Sequence, residues 1–236
     1  MTGLVVVVPT RGRPEAAAEL AGVFTATRTA DSVLLLAVDG TDPLLEAYLG
    51  VVDGLDVPWV RMVVAPSTTM GEALRLAVAW LLEADDPPAA IGFMGDDHRP
   101  RGEGWDRAYL NALSARPGIV YGDDLVQGEA LPTQCAMSTS VVRALGHMAP
   151  PVLEHLYLDN YWLALGRAAD CIAYLPGVVV EHVHPVTGRV PWDDGHVRVN
   201  SPALYQRDRA AFEAYWAEHG DRDVCAVRAA LAAVTT

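Results

Sequence analysis

The stretch IGFMGDDHRP, Ile91–Pro100, holds a short apolar run that stops abruptly at two adjacent aspartates. Ile91, Gly92, Phe93 and Met94 read as a buried strand, and Gly95-Asp96-Asp97-His98 as the turn at its carboxyl end. Two carboxylates in that position are costly unless a cation or hydrogen-bond donors compensate them. Gly95 has no side chain and lets backbone or ligand come close. In an open α/β sheet the carboxyl ends of strands are where ligands collect. Read alone, the turn is a solvated strand cap; the surrounding sequence raises the alternative of a cation site.

Upstream, Leu4–Val8 is wholly apolar and ends at Pro9-Thr10-Arg11, and Pro14 opens a helical stretch at a position that tolerates proline. Ser32–Val38 is a second buried strand ending at Asp39-Gly40, and Asp42 before Pro43 reads as a helix cap. Arg61–Ala65 is a third strand. Thr69-Met70-Gly71-Glu72 is a capping box that opens a helix running to Leu82. Strand and helix therefore alternate up to the aspartate turn, which predicts a mostly parallel central sheet flanked by helices. Downstream the pattern loosens. A strand over Gly118–Tyr121 leads to a second Gly-Asp-Asp, Gly122–Asp124, and a short strand is expected over Leu131–Ala136. Glu154–Gly166 reads as a helix, Ile172–Leu175 and Gly177–His182 as strands split by Pro176, and Ser201–Gly220 and Asp221–Val234 as two closing helices. No repeat or linker interrupts residues 1–236, so one domain is expected.

Composition narrows the chemistry. All 17 basic residues are arginine, and the formal net charge is −13. Without lysine, Schiff-base catalysis, a phosphate-loop lysine and a Ser-Lys dyad are excluded. Phosphate would have to be met by arginine, backbone N–H groups or a metal ion. An acidic surface repels nucleic acid and anionic lipid on average. The three widely spaced cysteines fit a reducing compartment, no apolar run is long enough for a membrane span, and the N-terminus reads as a strand, not a signal peptide. A cytoplasmic location with no membrane partner is the expectation. No Gly-x-Gly-x-x-Gly, Walker loop or Gly-x-Ser-x-Gly elbow is present.

What remains is a set of carboxylates and histidines at strand ends. His182 and His184 in VVVEHVHP alternate along a predicted strand and so face one side of the sheet, either as ligands or as ordinary polar residues. Asp159 lies in an apolar helical stretch, where an acid is a solvated residue, a structural acceptor or a general base. Trp105-Asp106 is either an aromatic platform or the anchor of a helix start.

In this order the pieces resemble a nucleotide-sugar-dependent glycosyltransferase of the GT-A fold, close to the compact, non-processive members of family 2. The resemblance runs from Val5 to about Pro185. VVVVPTRGRP resembles the first strand and its Pro9-Thr10 turn against the nucleotide, AVDGTDP the second-strand motif, and TTMGEALRLAV the Gly71-containing helix before the metal motif. GFMGDDHRP falls at the Asp-x-Asp site, LYLDNYWLALG at the acidic base and VEHVHP at a metal-binding histidine. The first acid of a strict Asp-x-Asp is missing, and Leu158-Asp159 stands where Glu-Asp is usual. The processive-synthase signature is absent.

The resemblance implies a nucleotide-sugar-binding half over 1–100, an acceptor half over 101–200 and C-terminal helices over 201–236. It implies a UDP- or GDP-sugar donor contacted by Pro9, Thr10, Arg11, Arg13, Asp39, Gly71 and Asp96. Mn²⁺ or Mg²⁺ would sit on Asp97 and Asp96 with His184, and Asp159 would be the base of an inverting transfer to an acceptor hydroxyl. Trp105, Asp123 and Asp124 are acceptor-side candidates, the second Gly-Asp-Asp being also a rival metal site. Similar compact proteins occur in bacterial viruses, some modifying hydroxymethylated DNA bases. A DNA acceptor met by Arg189, Arg198, Arg207 and Arg209 is therefore a further expectation, against which the net charge argues. A non-catalytic nucleotide-sugar-binding protein and a sugar nucleotidyltransferase are the alternatives.

Overall fold

The strands that decide the architecture are those with no polar side. In β1 (Leu4–Thr10) Val5 and Val7 enter one apolar cluster while Leu4, Val6 and Val8 enter another. β2 (Ser32–Asp39) divides the same way, with Val33, Leu35 and Ala37 opposite Leu34, Leu36 and Val38. Strands apolar on both faces need cover on both, as parallel sheets have. α1 (Pro14–Thr27), α2 (Leu45–Leu55) and α4 (Trp105–Ala115) cover one face. α3 (Met70–Glu83), α5 (Thr139–Leu145), α6 (Leu158–Ala168) and α7 (Pro202–Val234) cover the other. The computed structural model describes residues 3–67, 69–188, 192, 199 and 201–234.

The remaining strands are β3 (Val60–Ala65), β4 (Ala90–Phe93), β5 (His98–Pro100), β6 (Ile119–Asp123), β7 (Cys135–Ser138) and β8 (Ile172–His182). Sheet order is β3-β2-β1-β4-β7-β6-β8-β5. The first four strands are parallel, β7 runs antiparallel between β4 and β6, and β8 is parallel to β6. At the far edge β5 pairs antiparallel with β8, setting His98 opposite His182. Two residues 84 positions apart are thus cross-strand neighbours by register.

Several boundaries differ from the sequence reading, each for a physical reason. Pro176 does not split β8. The pairing jumps from Gly122 opposite Leu175 to Asp123 opposite Val179, so the strand absorbs the proline in a bulge. Gly220 does not end a helix: α7 runs unbroken from Pro202 to Val234. A Cβ on Gly220 would meet the Trp216 ring at 3.0 Å, and buried Asp223 just beyond it accepts from Tyr161 at 2.9 Å and Tyr215 at 3.1 Å. Packing overrides the glycine's poor helix propensity. Asp42 does not cap α2, which starts at Leu45; its carboxylate accepts from Gly12 N–H at 2.6 Å and Leu44 N–H at 2.9 Å, tying the β1 and β2 loops together. The short strand expected over Leu131–Ala136 is β7, Cys135–Ser138, and α6 starts at Leu158, after a turn. Thr69 does cap α3, accepting from Glu72 N–H at 3.2 Å.

Asp106 fixes the junction of α1, β2 and α4. It is fully buried and accepts from the N–H groups of Thr29 and Ala30 and from the Ser32 hydroxyl at 2.8 Å. Burial alone would raise its pKa, but these bonds outweigh burial and hold it low. Asp106→Ala leaves those donors unpaired and should destabilise the fold by about 2–4 kcal/mol, read by urea denaturation. A loss under about 1 kcal/mol would mean that water replaces the carboxylate there.

Candidate functional site

The carboxyl ends of β1, β2 and β4, the β8 end and the α6 and α7 starts surround one open cleft of about 1190 Å³. At its base the Gly95 turn is tightly built. A Cβ on Gly95 would sit 2.6 Å from Asp97 Oδ1 and 3.0 Å from His98 Nδ1, so a larger residue there would push those two side chains out of the places they hold over the turn. Gly95 N–H also donates to His98 Nδ1 at 3.0 Å. Buried Arg99 clamps the turn from behind, donating to the carbonyls of Asp96 at 2.7 Å and His98 at 2.8 Å, and to Glu19 at 2.9 Å.

The two aspartates face different partners. Asp96 accepts from the Thr10 hydroxyl at 2.7 Å and pairs with Arg13 at 2.8 Å. Burial pushes its pKa up to about 6; Arg13 opposes the rise and Asp97 adds to it. Asp97 faces histidine, with His98 Nδ1 3.3 Å from Oδ1 and His182 Nε2 3.3 Å from Oδ2. The two imidazoles stack with centroids 4.4 Å apart. Burial, then His182, lowers the His98 pKa, whereas Asp97 lifts that of His182 against the effect of burial.

Asp97, His98 and His182 each bring a ligand atom within 4.8 Å of the others, the grouping that could hold a metal ion among the described residues. Among the described residues the buried His98 Nε2 has no hydrogen-bond partner, the kind of orphaned polar atom that native interiors avoid unless it has a use. One carboxylate and two imidazoles suit a borderline divalent transition metal better than a strictly oxygen-seeking cation.

His184 is not in this group. β8 ends at His182, and His184 N–H turns back onto the His182 carbonyl at 2.8 Å, so strand alternation does not reach it. Its ring still lines the cleft, 5.0 Å from the His182 ring and 5.6 Å from that of Trp192. The cleft also takes in Pro9, Thr10, Arg11, Arg13, Asp39 and Asp159. Asp39 accepts from Arg11 and, at 2.7 Å each, from the Thr41 N–H and hydroxyl; these bonds outweigh burial and keep its pKa low. Asp159, in the first turn of α6, accepts from Asn160 N–H at 2.9 Å, and burial pushes its pKa up to about 6.

Four candidates lie elsewhere. Gly71 is a packing position: a Cβ there would come 2.2 Å from the Leu153 carbonyl oxygen. Trp105 is buried against Phe24 and Tyr109, with its indole N–H 3.2 Å from the Thr27 hydroxyl, so it is the helix anchor and not a platform. Asp124 is not a rival metal ligand. Its Oδ1 accepts from the N–H groups of Val126, Gln127 and Gly128, its Oδ2 from Thr133 at 2.7 Å, and its own carbonyl takes His182 N–H at 3.0 Å. Those bonds overcome burial and lower its pKa. Asp123 accepts from Leu125 N–H at 2.9 Å in the same loop. The second Gly-Asp-Asp thus supports the β8 end from behind. Of the four arginines considered for a phosphate backbone, Arg189 and Arg198 lie outside the described residues. Arg207 pairs with Glu154 and Asp208, and Arg209 with Glu213.

A four-strand parallel unit, β3-β2-β1-β4, continued by the antiparallel inner strand β7 is the arrangement of the GT-A fold. No protein-family model and no curated protein matches the sequence. Solved structures do match in fold. Staphylococcus aureus TarS 1–349 has a TM-score of 0.59 at 10% identity, over 75% of this chain and 59% of that one. The mannosyltransferase PcManGT from Pyrobaculum calidifontis, solved with GDP-Man and Mn²⁺, has a TM-score of 0.58 at 14% identity, over 98% and 74%. Glucosyl-3-phosphoglycerate synthase from Mycobacterium tuberculosis, solved with Mn²⁺, UDP and glucosyl-3-phosphoglycerate, has 0.59 at 13%, over 89% and 78%. The chain spans a little under three-fifths of TarS 1–349. Among the described residues no helix is long and apolar enough to cross a membrane.

Proposed function

We propose that this protein is a metal-dependent glycosyltransferase that moves a sugar from a UDP- or GDP-sugar to an acceptor hydroxyl with inversion. The observation that carries the reading is one cleft, on a GT-A fold, joining the Asp97–His98–His182 cluster to Asp159, whose pKa is pushed up to about 6.

Asp97, His98 and His182 would hold the divalent ion, Mn²⁺ suiting this donor set better than Mg²⁺. Bound there, it supplies Lewis-acid stabilisation of the charge that develops on the departing diphosphate. Arg11 and Arg13, at the end of β1, add fixed positive charge on the donor side, each oriented by its carboxylate partner. Asp39, held by Arg11 and Thr41, lines the cleft on the donor side and would meet the nucleoside. Asp159 takes the proton of the acceptor hydroxyl as its oxygen bonds to the anomeric carbon. The bond from that carbon to the diphosphate oxygen breaks, and the oxygen leaves with the electron pair. One displacement inverts the centre.

The base must be ionised to act. Because burial lifts Asp159 to about 6, turnover should be level above pH 7 and fall about tenfold per pH unit below 6. A flat profile down to pH 5 would remove Asp159 from the role. The reaction is testable before the acceptor is known, with water as acceptor and UDP-glucose or GDP-mannose as donor. Early NMR spectra should show EDTA-sensitive release of the inverted β-sugar. Release of the α-anomer first would contradict inversion, and no release from any nucleotide sugar would contradict the activity.

A further inference from the structure

Beyond Asp159 the cleft continues along the Tyr157 turn and the first two turns of α7, where Ser201, Leu204, Tyr205 and Arg207 line it. This wall is built to hold a shape. Asp208 is fully buried and accepts the N–H groups of His155 at 3.0 Å and Leu156 at 2.8 Å, so α7 grips the residues just before Tyr157. Arg207 bridges the same junction, reaching Glu154 at 2.7 Å and Asp208 at 2.8 Å. Tyr157 has φ 64°, a left-handed conformation that tyrosine rarely adopts, and its ring lies on Phe212 of α7 at 5.9 Å. Strain held in place beside a reactive group is a pointer to use. Tyr205 completes the wall, 43% exposed, and the Asp159 and Tyr157 charges add to burial in raising its phenol pKa.

We propose that Tyr157 and Tyr205 form the acceptor subsite and that it takes an uncharged carbohydrate ring, presenting one ring hydroxyl to Asp159. The inference rests on the glycosyltransferase reading and adds the class of acceptor. Tyrosine offers an apolar face to the C–H face of a pyranose and a polar tip to its hydroxyls, and His155, Asn160 and Ser201 line the same space with further polar groups. Charge points the same way. Glu154 and Asp159 are acidic, and Arg207, the described arginine at this end, already serves two carboxylates. Asp208 is a positioning residue, acting through the turn that carries Tyr157 and Asp159.

The test is saturation-transfer NMR on the full chain with Mn²⁺ and UDP or GDP, using methyl glycosides of glucose, galactose, mannose and N-acetylglucosamine. 3-Phosphoglycerate and a short DNA duplex are the charged comparisons. At least one pyranoside should show transfer to its ring protons. Its affinity should fall about tenfold in Tyr205→Ala and be largely kept in Tyr205→Phe, which retains the ring. Tyr205→Ala should still show the melting shift given by Mn²⁺ with the nucleotide. Binding of no pyranoside, preference for either charged compound, or an unchanged signal in Tyr205→Ala would overturn the subsite while the donor reading stands. A wild-type protein whose melting point no nucleoside diphosphate shifts would overturn both.

Discussion

Asp159→Asn should lower sugar transfer and donor hydrolysis by about 10²–10⁴-fold, the range expected for loss of a general base. The same variant should be more stable than the wild type at pH 7.5. Burial raises the Asp159 pKa from 3.8 to about 6, so the folded state favours the protonated acid. A folded-state pKa above the unfolded value means that stability is full below pH 3.8 and declines as pH rises through 6. Asparagine escapes that decline and can still accept the Asn160 N–H. The gain is at most about 3 kcal/mol and nearer 1–2 kcal/mol, since the carboxylate borders an open cleft. The melting points of the two proteins should converge below pH 4. A variant that is inactive and less stable would mean that Asp159 is structural.

Asp97→Asn should abolish the response to metal. Asp97 is the carboxylate both imidazoles face, whereas Asp96 is engaged by Thr10 and Arg13. Mn²⁺ affinity, measured by calorimetry, should fall by more than the roughly 10–100-fold that loss of an outer-shell partner costs. Activity should fall with it. The turn itself should survive, because Gly95 and the Arg99 clamp do not depend on the Asp97 charge. Asp96→Asn should disturb Arg13 and leave most of the Mn²⁺ affinity. Equal losses in the two variants would contradict this division between the aspartates.

The alternation of buried strands and helices up to Phe93 is legible in the sequence because its signals are local. Apolar runs, Pro14 and the Thr69 cap each act within a turn or two. The cleft residues on β1, β2 and β4 follow, since strand ends of a parallel sheet share one edge. The place of His98 comes from the β5–β8 register, which strand and helix periodicity does not announce. A His directly after Gly-Asp-Asp was the available signal. The same gap bears on the choice between His182 and His184, since strand periodicity says nothing about where the strand stops. Asp124 looks like a site acid in its Gly-Asp-Asp but is consumed by backbone N–H groups that only the folded loop supplies. Tyr205 and Asp208 lie far along the chain from Asp159, and only the packing of α7 brings Tyr205 into the same cleft and Asp208 onto the N–H groups of His155 and Leu156.

On the proposed function, the Asp97–His98–His182 cluster and the arginines beside it make one site for a metal and a nucleoside diphosphate. Thermal denaturation with UDP and GDP, each with and without Mn²⁺, tests it directly. A ligand held only by the native state raises the melting point by mass action, about 2.7 kcal/mol at a hundredfold excess over Kd. One of the two nucleotides should give a clear shift with Mn²⁺, little without it, and none in Asp97→Asn. A shift that ignores Mn²⁺, or none with either nucleotide, would contradict the account.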